Sequence, residues 1–127
     1  MLPHEELTDL ILKSFYKVYN RLGYGFLEKV YENALLLELR TQGVECESQR
    51  PITVYYDEVP VGEYFADIIV EDMIILELKA AENICENHEY QLLNYLKATK
   101  IELGFLLNFG KHPGFKRKIY SNQRKFF

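Results

Sequence analysis

A chain of 127 residues, 48% of them hydrophobic, is long enough to close one core without disulfide or metal staples. Its net charge of −4 argues against indiscriminate binding of duplex nucleic acid over the whole surface. The lack of a long apolar run argues against a membrane span, and the N-terminus has no signal-peptide pattern. Cys46 and Cys85 are too few and too far apart for a metal-ligand pattern; they read as reduced thiols of a cytoplasmic protein.

Charge is distributed unevenly. All 19 acidic residues fall within residues 1–102, whereas residues 103–127 carry six cations, Lys111, Lys116, Arg117, Lys118, Arg124 and Lys125, and no acid. Such a segment reads either as a phosphate-binding surface or as an ordinary solvated tail.

In chain order, Pro3-His4-Glu5-Glu6 opens a helix, with proline early and acids in the first turn. Leu7, Leu10, Ile11, Phe15, Val18 and Leu22 recur at helical spacing, and Gly23-Tyr24-Gly25 stops the helix near Arg21. A second helix is predicted from about Leu27 to Thr41, ending at Gly43. Leu27, Val30, Ala34 and Leu37 share one of its faces, and Glu28, Tyr31, Glu32 and Leu35 form a neighbouring stripe. Glu28 and Tyr31 lie one turn apart, so their polar ends can meet; Glu28 reads equally as a first-turn carboxylate facing the helix dipole. Pro51 introduces a strand over Ile52–Tyr56, and Asp57-Glu58-Val59-Pro60 reads as a turn.

Two strands follow, Tyr64–Val70 and Ile74–Lys79, rich in β-branched residues and apolar on both faces, the pattern of a covered sheet centre. Asp67, Glu77 and Lys79 interrupt them. If Val70 pairs with Ile74 across a loop of Glu71, Asp72 and Met73, Asp67 stands opposite Glu77 with Cβ atoms roughly 5 Å apart. A two-residue turn would send Asp67 to the other face. The first register is expected. Opposed carboxylates in an apolar sheet are costly unless paired or bound to a divalent cation; a solvated edge or structural ion pair is the ordinary alternative.

After Ala80–Asn83 a third helix runs from roughly Cys85 to Thr99, packing Leu92, Leu93 and Leu96 on the sheet, with His88, Gln91 and Tyr95 as a polar stripe beside them. Leu103–Phe109 is a buried strand expected to run parallel to the third strand. Phe115–Tyr120 reads as a short last strand and the rest as a tail. The order α-α-β-β-β-α-β describes an α/β fold with a mixed sheet flanked by helices.

These residues resemble a known family. Gly25-Phe26-Leu27-Glu28-Lys29-Val30-Tyr31 fits the Gly-x-x-Glu-x-x-Tyr pattern of the GxxExxY proteins, a branch of the PD-(D/E)XK nuclease superfamily. Asp67, followed after nine residues by Glu77-Leu78-Lys79, fits that superfamily's D…(D/E)xK signature, with Ala66 where its name expects proline. Gln91-Leu92-Leu93-Asn94-Tyr95 looks like the Gln-x-x-x-Tyr motif of the RecB-like branch. The resemblance implies a restriction-endonuclease-like core over one domain, 1–127. It implies a cation, normally Mg²⁺ with Mn²⁺ as substitute, held by Asp67, Glu77 and the Leu78 carbonyl, with Glu28 as an additional ligand. It gives Lys79 the attacking water, a role that a nearby cation and burial would assist by favouring the neutral amine. It makes Gln91 an orienting residue and Tyr31 and Tyr95 lining residues.

The implied reaction is metal-dependent hydrolysis of DNA, or of RNA. Lys116, Arg117 and Lys118 are the expected substrate-binding cations of the basic segment. The other class of function is a catalytically silent binding module on the same fold; the intact Asp67/Glu77/Lys79 set favours the nuclease. Small size and no obvious DNA-reading element point to a homodimer or a partner protein.

Overall fold

The computed structural model describes residues 4–126. Two helices, α1 (His4–Leu22) and α2 (Glu28–Thr41), precede a hairpin of β1 (Cys46–Tyr56) and β2 (Val59–Val70). Then come β3 (Ile74–Lys79), α3 (Glu86–Lys97), β4 (Leu103–Asn108) and β5 (Gly114–Ile119), with a 3₁₀ turn at Asn122–Arg124. The strands form a five-stranded sheet in the order β1-β2-β3-β4-β5, in which only β3 and β4 run parallel. This is the mixed sheet expected from the sequence, with β3 and β4 apolar on both faces because both are covered.

One layer of core lies between the sheet and the α1–α2 pair, built on Phe15, Tyr31, Leu35, Leu76, Phe105 and Phe109. The other lies beneath α3, built on Ile52, Ala66, Ile69, Ile75, Leu92, Leu96 and Leu106. Tyr31 stacks on Phe109 at 4.6 Å between centroids. Its hydroxyl donates to Gly23 O at 2.6 Å and accepts from Phe26 N at 3.2 Å, so this tyrosine ties the α1–α2 loop to the sheet.

The β2–β3 turn settles the register. Glu71 and Asp72 take φ of 51° and 57°, and Met73 N donates to Val70 O at 2.9 Å, with Met73 left as an extra residue. Val70 therefore pairs with Ile74. The β1–β2 hairpin is longer than expected, because Pro51 does not start β1 but sits inside it. β1 is an edge strand, where a missing N–H is tolerated.

The buried face of α2 also differs from the apolar stripe. Tyr31, Glu32, Leu35, Leu36 and Leu39 are buried, whereas Leu27 and Leu37 are exposed. Large side chains one turn apart win the interface with α1 and Phe109, and Glu32 comes inside with them.

The chain leaving β3 is clamped. Phe109 N donates to Lys79 O at 2.7 Å. The buried Asn108 side chain accepts from Ala81 N and Gly110 N and donates to Ala81 O, at 3.0–3.1 Å. A Cβ on Gly110 would sit 1.8 Å from Ala81 O. Gly110→Ala should therefore lower stability by about 1–3 kcal/mol, read as a shift of the urea midpoint. Gly114→Ala, where an added Cβ meets nothing within 4 Å, should leave the midpoint near wild type.

Candidate active site

Strands β2 and β3 pair only from Val70↔Ile74 to Ile68↔Leu76. Beyond that point they part, and side chains take over the hydrogen bonds of the missing ladder. Asp67 N donates to Glu77 Oε1 at 3.1 Å, and Leu78 N donates to Asp67 Oδ2 at 2.8 Å. Each carboxylate thus satisfies an amide at or beside the position of the other. Asp67 and Glu77 are brought together in a fork within the sheet.

The face alternation of β2 also breaks here. Ala66 and Ile69 pack in the same core layer although they are three residues apart, which a regular strand forbids. The residue across from Asp67, between the pairs Ser48↔Ile68 and Arg50↔Ala66, is Gln49, with φ of 52°. A local left-handed residue on the neighbouring strand is what turns the hairpin at this point.

Glu77 is only 4% exposed. Burial, then the charge of Asp67, pushes its pKa up to about 9; the Asp67 amide and the charge of Lys79 pull the other way without prevailing. At neutral pH and without a cation, Glu77 carries a proton. On the α3 side, Tyr95 is buried and its hydroxyl accepts from Gln91 Nε2 at 2.8 Å. Burial and then the Glu77 charge push the Tyr95 phenol upward, with Asp67 a smaller contributor, which places this tyrosine within reach of the acid pair's field. Lys79 and Tyr95 are thus electrostatically coupled to Glu77, and Gln91 is tied to Tyr95.

The connection from α2 is made by a residue that the motif did not select. Gln49 Nε2 donates to Glu32 Oε1 at 2.9 Å and to Asp67 Oδ1 at 3.3 Å, and Lys29 holds the other oxygen of Glu32 at 2.7 Å. Glu32 is 4% exposed. Glu28, one turn earlier, is exposed at the start of the helix, and no hydrogen bond or ion pair joins it to the fork. Of the two α2 carboxylates, the one linked to Asp67 is Glu32, because the helix turns Tyr31 and Glu32 inward and leaves Glu28 facing water.

Three further placements bear on the site. Tyr31 is fully buried with its hydroxyl committed to the α1–α2 loop, so it presents no surface to a substrate. The triplet Lys116-Arg117-Lys118 does not act as a unit. In β5, Lys116 and Lys118 share a face and Arg117 takes the opposite one, while Lys118 is tied to Glu89 of α3 at 2.6 Å. Lys116 remains in the cross-strand row Glu77–Leu106–Lys116, two strand spacings from the acids, on the order of 10 Å. Finally, among the described residues no group of three or more His, Cys, Asp or Glu side chains is gathered as a metal centre.

A sequence model of the PD-(D/E)XK nuclease superfamily matches residues 5–118. The chain belongs to that superfamily. The crystal structure of the protein SSO0001 is similar, with a TM-score of 0.58 and 19% sequence identity over 92% of this chain. At that identity the likeness speaks for the fold alone, and this chain spans 59% of that protein's length. No curated protein matches the chain.

In this PD-(D/E)XK protein the fork is an oxygen-donor site flanked by a lysine. Asp67 and Glu77 present hard oxygen donors, and the upward shift of Glu77 reflects negative charge that its neighbours do not offset. That donor chemistry fits Mg²⁺ or Mn²⁺, which need few protein oxygens because they keep several waters. The titration of Glu77 also has a consequence for stability. The folded protein holds this proton up to about pH 9, whereas the unfolded chain releases it near 4.5. The stabilising contribution is thus complete below about pH 4.5 and is lost as pH rises toward 9. Without divalent cations, the melting temperature should fall between pH 5 and 9. Glu77→Gln, similar in shape and unable to ionise, should flatten that fall in thermal melts with EDTA.

Proposed function

We propose that this protein is a divalent-metal-dependent nuclease that hydrolyses phosphodiester bonds in DNA. The observation that carries the reading is the fork itself: Asp67 and Glu77 interlocked through each other's strand, the Glu77 carboxyl pushed up by burial and by Asp67, with Lys79 two residues further along β3. Membership of the PD-(D/E)XK superfamily supports it, and the Gly25–Tyr31 motif favours the GxxExxY branch within it.

Asp67, Glu77 and the Leu78 carbonyl would hold Mg²⁺, with water and a substrate phosphate oxygen completing the shell. Bound there, the cation would supply charge stabilisation at the phosphate and acidify water. The remaining work falls to the chain. Glu32, acting through Gln49, fixes the orientation of Asp67. Lys79, its carbonyl anchored by Phe109 N, aims its amine at the attacking water and takes or shares its proton. Gln91 and Tyr95 orient groups on the α3 side. Lys116 lies in the row that leads away from the acids and contributes charge along the substrate backbone. Recognition of substrate shape would rest on a partner protein or a second copy.

A catalytically silent relative is the second reading, and one observation favours it: among the described residues no three acids converge. Melting and cleavage separate the two. Mn²⁺ or Mg²⁺ at pH 8 should raise the melting temperature of wild type by several degrees and leave Asp67→Ala and Glu77→Ala unmoved. Lys79→Ala should keep the cation-induced shift and lose roughly 10²–10⁴-fold in cleavage rate, assayed with single-stranded, duplex and branched DNA and with RNA. Equal cation shifts in wild type and both acid variants would remove the metal site. A normal shift with no cleavage of any substrate would establish the silent module.

A further inference from the structure

The parting of β2 from β3 opens a second feature. Beyond Asp67 the β1–β2 hairpin leaves the sheet, and α3 closes on its inner side, leaving a groove of about 690 Å³ between them. That volume is within the range of small-ligand sites, roughly 300–1,000 Å³, which suits single planar groups and excludes a duplex. Its walls are aromatic: Tyr55 and Tyr64 from the hairpin, Tyr90 and Tyr95 from α3. Tyr64 and Tyr95 already lie 5.7 Å apart between centroids at an interplanar angle of 48°. Tyr55, Tyr64 and Tyr90 are 62%, 50% and 58% exposed, so half or more of each of these side chains faces solvent.

Two further properties identify the occupant. Asn87, Gln91 and Asn94 place amides, each both donor and acceptor, along the α3 wall. In a chain with 19 acidic residues, none lines this groove, and Lys97 lies at its rim. Tyr64, on the hairpin wall, stands three residues before Asp67 on β2, about 10 Å along the strand, so the groove opens toward the acid fork. Aromatic faces, amides for hydrogen bonding, an absence of negative charge and continuity with a phosphodiester-cleaving centre describe one kind of ligand.

We propose that this groove binds unpaired nucleobases of a single-stranded DNA segment whose backbone passes over Asp67 and Glu77. The substrate is then a single strand, or a junction or flap that presents one, rather than continuous duplex. Tyr64 and Tyr90 stack the bases, and Asn87 and Asn94 contact their edges. This inference rests on the nuclease reading for its substrate class, and its test is independent of cleavage.

The probe is a short fluorescein-labelled oligo(dT), with a matched duplex and an oligonucleotide carrying 2-aminopurine, titrated with the full chain in EDTA so that no cleavage occurs. Tight single-strand binding with quenching of 2-aminopurine is expected, with about tenfold weaker binding for Tyr90→Ala and for Tyr64→Ala and recovery in Tyr90→Phe. Duplex affinity should not change in these variants. Tyr90 is a half-exposed helical side chain, so its removal leaves the fold intact, checked by the melting temperature. Unchanged single-strand affinity in Tyr90→Ala, an equal loss for duplex, or no quenching would overturn the proposal. Quenched, tyrosine-dependent binding without cleavage in Mn²⁺ would retain the groove and sink the nuclease; cleavage of a single strand at equal rate and KM in wild type and Tyr90→Ala would do the reverse.

Discussion

The structure depends on a pair of hydrogen bonds in which Asp67 and Glu77 each replace a strand. Where a continuous ladder would join β2 and β3, Glu77 accepts from the Asp67 amide and Asp67 accepts from the Leu78 amide. Buried amides without partners cost about as much as a lost hydrogen bond each, so the strands can part only because these carboxylates are there. The acids are therefore both the hinge of the sheet and its candidate reactive groups. One consequence follows for interpreting variants. Truncating either residue removes a candidate metal ligand and also leaves an amide unsatisfied, whereas Glu77→Gln keeps an acceptor oxygen on the side chain and isolates the charge.

Around this fork the two core layers act as a vice. Tyr31, Phe15 and Phe109 lock α1 and α2 to the end of β4, and Phe109 N in turn holds the Lys79 carbonyl. Asn108 fastens the next residues by bonding both polar groups of Ala81, and only glycine fits at position 110 beside it. The backbone on both sides of Lys79 is thus pinned by groups that take no part in chemistry. Tyr31 belongs here. Its position in a Gly-x-x-Glu-x-x-Tyr motif is explained by the loop it ties down, which sets how α2 presents Glu32 to the fork.

The sheet was legible because its centre is written in β-branched residues apolar on both faces, and because Glu71-Asp72-Met73 supplies one residue more than a tight turn needs. Those facts left two registers open; the expected one, Val70 with Ile74, is the one the structure takes, and with it Asp67 meets Glu77. What could not be seen was the break in alternation at Asp67. It depends on Gln49 taking φ of 52°, a conformation for which glutamine gives no sequence signal, and Gln49 is also the link to Glu32. Glu32 itself was visible in a stripe with Tyr31 and Leu35, yet the apolar Leu27/Val30/Leu37 face competed with it, and only packing against α1 decides between them. The basic triplet 116–118 shows a different limit. A strand was expected there, and strand periodicity alone separates Arg117 from its neighbours, but the ion pair of Lys118 with Glu89 needs the three-dimensional placement of α3.

The protonation of Glu77 links the stability of the fold to the proposed chemistry. Burial that raises a carboxyl to about pH 9 holds a site in which negative charge is uncompensated, and a group that compensates it must be compact, positive and content with oxygen ligands. A lysine could have done so by ion pairing, but Lys79 lowers the Glu77 pKa less than burial and Asp67 raise it, so the deficit is left for a ligand to fill. A cation bound between Asp67 and Glu77 at neutral pH would compete with the Glu77 proton, so its affinity would decline as the pH falls. The same low-dielectric setting that makes the ionised pair costly alone strengthens its hold on a bound charge. Because β2 parts from β3 at this point, a charge bound there would lie where the sheet opens instead of inside a closed ladder, the arrangement a long, flexible anionic polymer requires.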